Sequence, residues 1–156
     1  MLQLCTLASG SSGNSLLVSD GATHILVDAG ISCRRITTAL KGLGVDPADL
    51  SAVLITHEHT DHISGLTTLT KQRRVPVYAS QGTGRQLCYR IAFLEEVLHP
   101  FTPGEHFSIG SIDVESFPTP HDAAESTGYA LSAGGRKAAV VTDLGHVTAA
   151  VEAGIR

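Results

Sequence analysis

The stretch Ala52-Val53-Leu54-Ile55-Thr56-His57-Glu58-His59-Thr60-Asp61-His62 decides the fold. Its first four residues are an apolar run without polar alternation, the pattern of a strand buried on both faces. Three histidines and two carboxylates follow at once. Beyond them Ile63, Leu66 and Leu69 share one helical face up to about Lys71. The motif therefore lies at the carboxyl end of a strand and opens a helix, the crevice in which open α/β sheets place their ligands. In extended chain His57 and His59 point the same way and Glu58 points away, because side chains alternate with a period of two. Asp61 and His62 then return from the helix start. Neutral imidazoles and carboxylates suit zinc and similar divalent ions, so two histidines plus an Asp-His pair can serve two metals side by side. The plainer alternative, a polar loop of solvated histidines, fits poorly with a cluster that abuts a buried strand.

Outward from the motif, the chain reads as strands and helices in alternation. Leu2 to Ser9 is a first strand with Leu2, Leu4 and Thr6 on one face. Ser15–Ser19 and His24–Val27 form a hairpin about Asp20-Gly21, and its second strand ends at Asp28-Ala29-Gly30. Ser32 caps a helix to about Gly42 with Ile36, Ala39, Leu40 and Leu43 inward. Val75 to Ala79 is a strand in which Pro76 marks the start or an edge. A helix over Thr83 to Leu94 follows, then an antiparallel meander over Val97 to Phe117. Gly128–Leu131 and Lys137–Val141 form a last hairpin across Ala133-Gly134-Gly135. His24, His99, His106 and His146 read as surface or structural residues.

The glycine- and serine-rich stretch Ser9 to Ser15 lacks a Gly-Lys-Ser/Thr ending and is not a nucleotide P-loop. From the residues alone a plain turn ranks first. The alternative is a nest of backbone N–H groups that binds an anion near the metals.

The pattern His57-x-His59-x-Asp61-His62 resembles the signature of the metallo-β-lactamase fold superfamily of metal-dependent hydrolases, and Ser-Gly-Ser-Ser-Gly-Asn-Ser near the start resembles its bacterial WalJ/YycJ-like branch. Asp28-Ala29-Gly30, Pro120-His121-Asp122 and Thr142-Asp143-Leu144-Gly145 resemble further motifs of the superfamily, in order. The resemblance implies an α/β fold, the metallo-β-lactamase-type αββα sandwich. It also implies that most of the C-terminal half is lacking, within a single domain over residues 1–156. It implies two divalent metal ions: His57, His59 and His121 on one, Asp61 and His62 on the other, Asp143 bridging. Zinc comes first, and manganese or iron accepts the same donors. The second ion is one ligand short, because the superfamily's final histidine has no counterpart in this sequence. Asp28 would orient the ligands and Asp61 would also accept a proton. The loop Ser11, Ser12, Gly13 and Asn14 would contact substrate.

The activity implied is hydrolysis by a metal-bound hydroxide, as a phosphodiesterase or 5′-3′ exonuclease on DNA or RNA. Thioester, lactone or β-lactam hydrolysis uses the same ligands, and a non-catalytic metal-binding module is the third reading. A half-sandwich would expose Leu26, Val53, Ile55, Val77 and Val140, which makes self-association into a homo-oligomer the expected consequence.

Composition fits a globular chain of 156 residues, 42% of them hydrophobic, with enough length for a core. No apolar run approaches a membrane span and no signal peptide opens the chain. Cys5, Cys33 and Cys88 are odd in number and widely spaced, which suits buried, reduced thiols in the cytoplasm. The net charge of −4 neither demands nor excludes a polyanionic substrate.

Overall fold

The first six strands build one sheet, each added beside the last. The structure, a computed structural model, describes residues 1–142 and 149–155. Strands β1 (Gln3–Ala8), β2 (Ser15–Ser19), β3 (His24–Val27), β4 (Ala52–Leu54), β5 (Val77–Ser80) and β6 (Leu98–Phe101) form a six-stranded sheet in that order. The first two pairings are antiparallel and the rest parallel. The parallel pairings require crossovers. These are supplied by helices α1 (Cys33–Gly42), α2 (Thr60–Ile63) with α3 (Leu66–Arg73), and α4 (Gln81–Arg90). Strands β7 (His106–Ile109), β8 (Ile112–Pro118), β9 (Thr127–Ala133) and β10 (Arg136–Val140) form an antiparallel sheet in the order β10-β9-β8-β7, and α5 (Ala149–Ile155) closes the described chain.

The period-two alternation of the central strands sorts their side chains into two cores. Leu26, Val53, Ile55 and Val77 face the helices, where they meet Ile36, Leu40, Leu66, Leu69 and Leu87. Ile25, Val27, Ala52 and Leu54 face the second sheet, where they meet Ile112, Val114, Tyr129 and Leu131. Val151 of α5 packs on Phe117 and Ala130 across the outer face of that second sheet. The layers are therefore helix, sheet, sheet, helix, the αββα sandwich expected.

The sandwich corrects the expectation of an open apolar face. Leu26, Val53, Ile55 and Val77 are fully buried and Val140 is 7% exposed. The helices cover one side of the first sheet and the second sheet covers the other.

Other local expectations shift for physical reasons. Leu4 and Thr6 are exposed because β1 is an edge strand, and Cys5 and Leu7 turn toward the helices instead. Leu43, expected inward, is exposed past the end of α1. The helix after the metal motif breaks between α2 and α3 at Gly65, whose N–H donates to Ala29 O at 2.8 Å. A Cβ there would stand 2.0 Å from Ile31 O, so only glycine allows this approach. The helix expected from Thr83 starts earlier, capped by Ser80, and ends at Arg90; a 3-10 turn covers Ala92–Glu96. The expected meander is divided: β6 joins the first sheet beside β5, and only β7 and β8 belong to the second. Of the cysteines, Cys33 alone is buried; Cys5 and Cys88 are half-buried.

Candidate metal centre

β4 ends at Leu54, and the chain beyond it carries His57 and His59 across the carboxyl end of the sheet. The loop after β8 brings His121 to the same place. Nitrogen atoms of His57, His59 and His121 all lie within 4.8 Å of one another. His59 Nδ1 and His121 Nε2 are 3.2 Å apart. Two donors on one tetrahedral zinc, at bonds of about 2.0–2.1 Å, stand about 3.3 Å apart. The donor chemistry and spacing thus fit a divalent metal. His62 packs on His57 with ring centroids 4.1 Å apart. His62 Nε2 lies 3.7 Å from Asp61 Oδ2, so the two expected ligands of a second ion adjoin the first group. Asp143 and His146 lie outside the described residues.

One buried carboxylate orders this cluster. Asp28 sits at the end of β3 with φ 63°, a left-handed conformation that costs a non-glycine residue energy. It is held there: its N–H donates to Leu54 O at 2.7 Å, and Ser15 Oγ donates to its carbonyl at 2.8 Å. Its Oδ1 accepts from Thr56 N–H at 2.8 Å. Its Oδ2 accepts from Thr56 Oγ1 at 2.8 Å and from His62 Nδ1 at 2.6 Å. Burial pushes the Asp28 carboxyl above its ordinary range, and the donors from His62 and Thr56 pull it back.

The consequence is a fixed tautomer at two histidines. His62 donates its Nδ1–H to Asp28, which leaves Nε2 as the lone-pair nitrogen. Thr56 spends its hydroxyl proton on Asp28, so its oxygen accepts from His57 Nδ1 at 2.9 Å. His57 Nε2 then also carries a lone pair. A single carboxylate presents two imidazole acceptors to the site, one directly and one through a hydroxyl.

The glycine-rich loop reaches the site through Asn14. Its amide NH2 lies 3.2 Å from Asp61 O, 3.4 Å from Asp61 Oδ2 and 3.3 Å from His62 Nε2. The same NH2 donates to Gly10 O at 2.9 Å, and Oδ1 accepts from Gly10 N–H, which fixes the amide's orientation. Asn14 N–H donates to Asp61 O at 2.8 Å and Gly13 N–H to Gly10 O at 3.2 Å. These loop N–H groups are engaged inside the protein, and Ser9 to Ser12 are the loop's exposed part. Gly13 (φ 151°) and Gly30 allow the close approach: a Cβ on Gly13 would stand 2.5 Å from Gly30 O, and one on Gly30 1.8 Å from Asp61 O.

Glu58 points away from the histidines, as the alternation predicts. It is 8% exposed and accepts from Ala124 N–H at 3.0 Å, tying the metal loop to the loop that carries His121. Arg90 Nη1 donates to Glu58 O at 2.8 Å. Thr127 N–H donates to Thr56 O at 2.9 Å, and the buried Tyr129 hydroxyl donates to Ile55 O at 2.6 Å. Burial, with the Asp28 charge nearby, pushes the Tyr129 phenol well above its ordinary value. Asp122 is exposed. The roles of Thr56, Glu58, Arg90 and Tyr129 carry no spacing signal in the sequence; only the polar identity of Thr56 next to an apolar strand hints at one.

Comparison with known proteins agrees with this geometry. Residues 23–156 match the family model described as the beta-lactamase superfamily domain, and the chain belongs to that superfamily. It is 39% identical to an exodeoxyribonuclease YycJ of Bacillus anthracis over 148 residues, covering 94% of this chain and 56% of that one. It is 38% identical to an exodeoxyribonuclease WalJ of Streptococcus pneumoniae, covering 91% of this chain and 54% of that one. The chain thus spans about half the length of these curated relatives. Among solved structures, Zn(2+)-bound PqqB from Methylobacterium extorquens shares the fold, with a TM-score of 0.78 at 22% identity, over 98% of this chain and 69% of that one. Among the described residues no helix is long and apolar enough to cross a membrane.

Proposed function

We propose that this chain carries the metal centre of a metal-dependent phosphodiesterase that shortens DNA, or chemically related RNA, from an end. The observation that carries the reading is the convergence of His57, His59 and His121 beside a carboxylate that keeps acceptor nitrogens turned toward them. The substrate class rests on similarity to proteins named exodeoxyribonucleases. His57, His59 and His121 would hold one ion, zinc by preference for imidazole donors. Asp61 and His62 would hold a second, and the resemblance assigns Asp143, outside the described residues, as a ligand shared by both. Bound there, divalent metal supplies Lewis acidity to the phosphoryl group and lowers the pKa of water.

The chain's own residues do the rest. Asp28 keeps His57 and His62 in the acceptor tautomer. The Asn14 NH2 aims the Asp61 carboxylate, and Asp61, one-third exposed, accepts the proton of the attacking water. Glu58 holds the His121 loop against the metal loop.

The test is digestion of end-labelled single-stranded DNA by zinc- or manganese-reconstituted protein, beside a lactone and a β-lactam at equal concentration. A ladder growing from one end, absent with Asp61→Asn, is the expected result. Turnover of lactone or β-lactam with intact DNA would overturn the reading.

A further inference from the structure

Helix α4 has the sequence Gln81-Gly82-Thr83-Gly84-Arg85-Gln86-Leu87-Cys88-Tyr89-Arg90. Gly82, Thr83, Gly84 and Leu87 are buried, so the helix turns the other side outward. That outer side carries Gln81, Arg85, Gln86, Tyr89 and Arg90, all exposed, with no acidic residue on the helix. Tyr89 is 88% exposed, more than any other large hydrophobic side chain described. Among the described residues this solvated aromatic ring, with Arg85 and Arg90 on the same helix, belongs to none of the hydrophobic cores.

The position of this face matters. Arg90 donates from Nη1 to the carbonyl of Glu58, the residue between His57 and His59. The carboxyl end of α4 is thereby fixed against the metal loop, and an exposed guanidinium stands on the backbone between His57 and His59. Arg90 is bonded through one nitrogen to a neutral carbonyl, so its charge is not neutralised by that contact. A guanidinium has five N–H donors, and those left over match a phosphate group. Next to α4, an open cleft lined by Arg85, Cys88, Leu98 and Pro100 also carries Glu95, which opposes entry of an anion there. The Arg90 end of the face, at the metal loop, is the better seat for phosphate.

We infer that the outer face of α4 is the single-strand platform of the site, with Tyr89 stacking a base and Arg90 holding the phosphate next to the metal loop. The inference rests on the nucleic-acid reading above and gives it a location. Aromatic stacking on bases is tolerant of sequence, and arginine contacts to the backbone are salt-dependent. Single strand fits and duplex does not, because a base must be unstacked to lie on Tyr89.

The experiment measures the anisotropy of a fluorescein-labelled phosphorothioate oligothymidylate with the metal-loaded protein across a salt series. Tyr89→Ala should weaken binding about tenfold, with Tyr89→Trp restoring it. Arg90→Met should lower the slope of log Kd against log salt by about 0.7, the value for one phosphate on a single strand, with metal content unchanged. Wild-type binding with Tyr89→Ala and Arg90→Met both indistinguishable from it would overturn the platform while the nuclease reading stands. Loss of metal from Arg90→Met would assign Arg90 to holding Glu58 instead and overturn its phosphate role. No binding and no cleavage by wild type would overturn the nuclease reading itself.

Discussion

Replacing Asp28 with asparagine changes one atom type and almost no volume, yet it should turn the whole cluster around. The backbone N–H of Thr56 keeps an oxygen partner if the amide places its carbonyl at the Oδ1 position. The NH2 group then occupies the position of Oδ2, where it meets Thr56 Oγ1 and His62 Nδ1. Both must become acceptors. His62 shifts its proton to Nε2. Thr56 rotates its hydroxyl toward His57 Nδ1, and His57 shifts its proton to Nε2 as well.

The hydrogen bonds of residue 28 itself survive in number, so Asp28→Asn should still fold, although the relocated His62 Nε2–H then faces the Asn14 NH2 donor. Two imidazoles, however, now present N–H instead of lone pairs to the metal. Loss of an outer partner of one ligand costs about 10–100-fold in metal affinity. Control of two ligands puts the expectation at the upper end, about 100-fold, or about 2.7 kcal/mol. The assay is zinc titration against a chromogenic chelator, paired with long-range nitrogen–proton NMR of the histidine rings in metal-free protein. Wild type should show His57 and His62 protonated at Nδ1, and Asp28→Asn should show both at Nε2. Unchanged tautomers with unchanged affinity would refute the relay through Thr56.

Three other perturbations follow from contacts already described. Gly30→Ala forces a methyl to within 1.8 Å of the Asp61 carbonyl, so the backbone must move; a loss of about 3 kcal/mol or more in urea melts and a misplaced Asp61 are expected, and a wild-type melting curve would contradict the packing. Tyr129→Phe removes a fully buried hydrogen bond to Ile55 O and should cost about 1–3 kcal/mol in the same assay, whereas a neutral effect would mean that the second sheet is not anchored to the site strand through this hydroxyl. Asp20 is held at about pKa 2 by the Ser111 hydroxyl first, then by the N–H groups of Thr23 and Ala22. Its folded value is depressed, so its contribution, about 1 kcal/mol after solvent screening, is present above about pH 3.9 and lost as pH falls toward 2. Acid melts of Asp20→Asn should therefore be flatter than wild type over that window, and parallel curves would refute the linkage.

Cover on both faces of β4 is legible in the unbroken apolar run Ala52–Ile55, whereas the αββα sandwich as a whole enters by resemblance. That cover defeats the expectation of an open face: the covering sheet is built from β7 to β10 within this chain. β6 reads as an arm of the meander because Leu98-His99-Pro100-Phe101 is short, with His99 and Pro100 exposed at its centre. Nothing local distinguishes a parallel edge strand from the arm of a meander. The cluster His57-Glu58-His59 to His62 was legible from spacing, since alternation alone puts two imidazoles together. His121 entered only by resemblance, because a lone loop histidine has no periodic signature. The contacts of the Asn14 amide with Asp61 and His62 span a separation that no sequence pattern encodes. Thr56, as a relay between Asp28 and His57, depends on hydrogen-bond direction and is visible only in three dimensions.

Zinc binding by the histidine variants tests the central claim most directly. Calorimetric titration, with elemental analysis of the dialysed protein, should find a tight site in wild type that is abolished in His57→Ala and in His121→Ala, both retaining native circular dichroism. A variant lacking either imidazole that still holds zinc as tightly as wild type would contradict the assignment of His57, His59 and His121 to one ion.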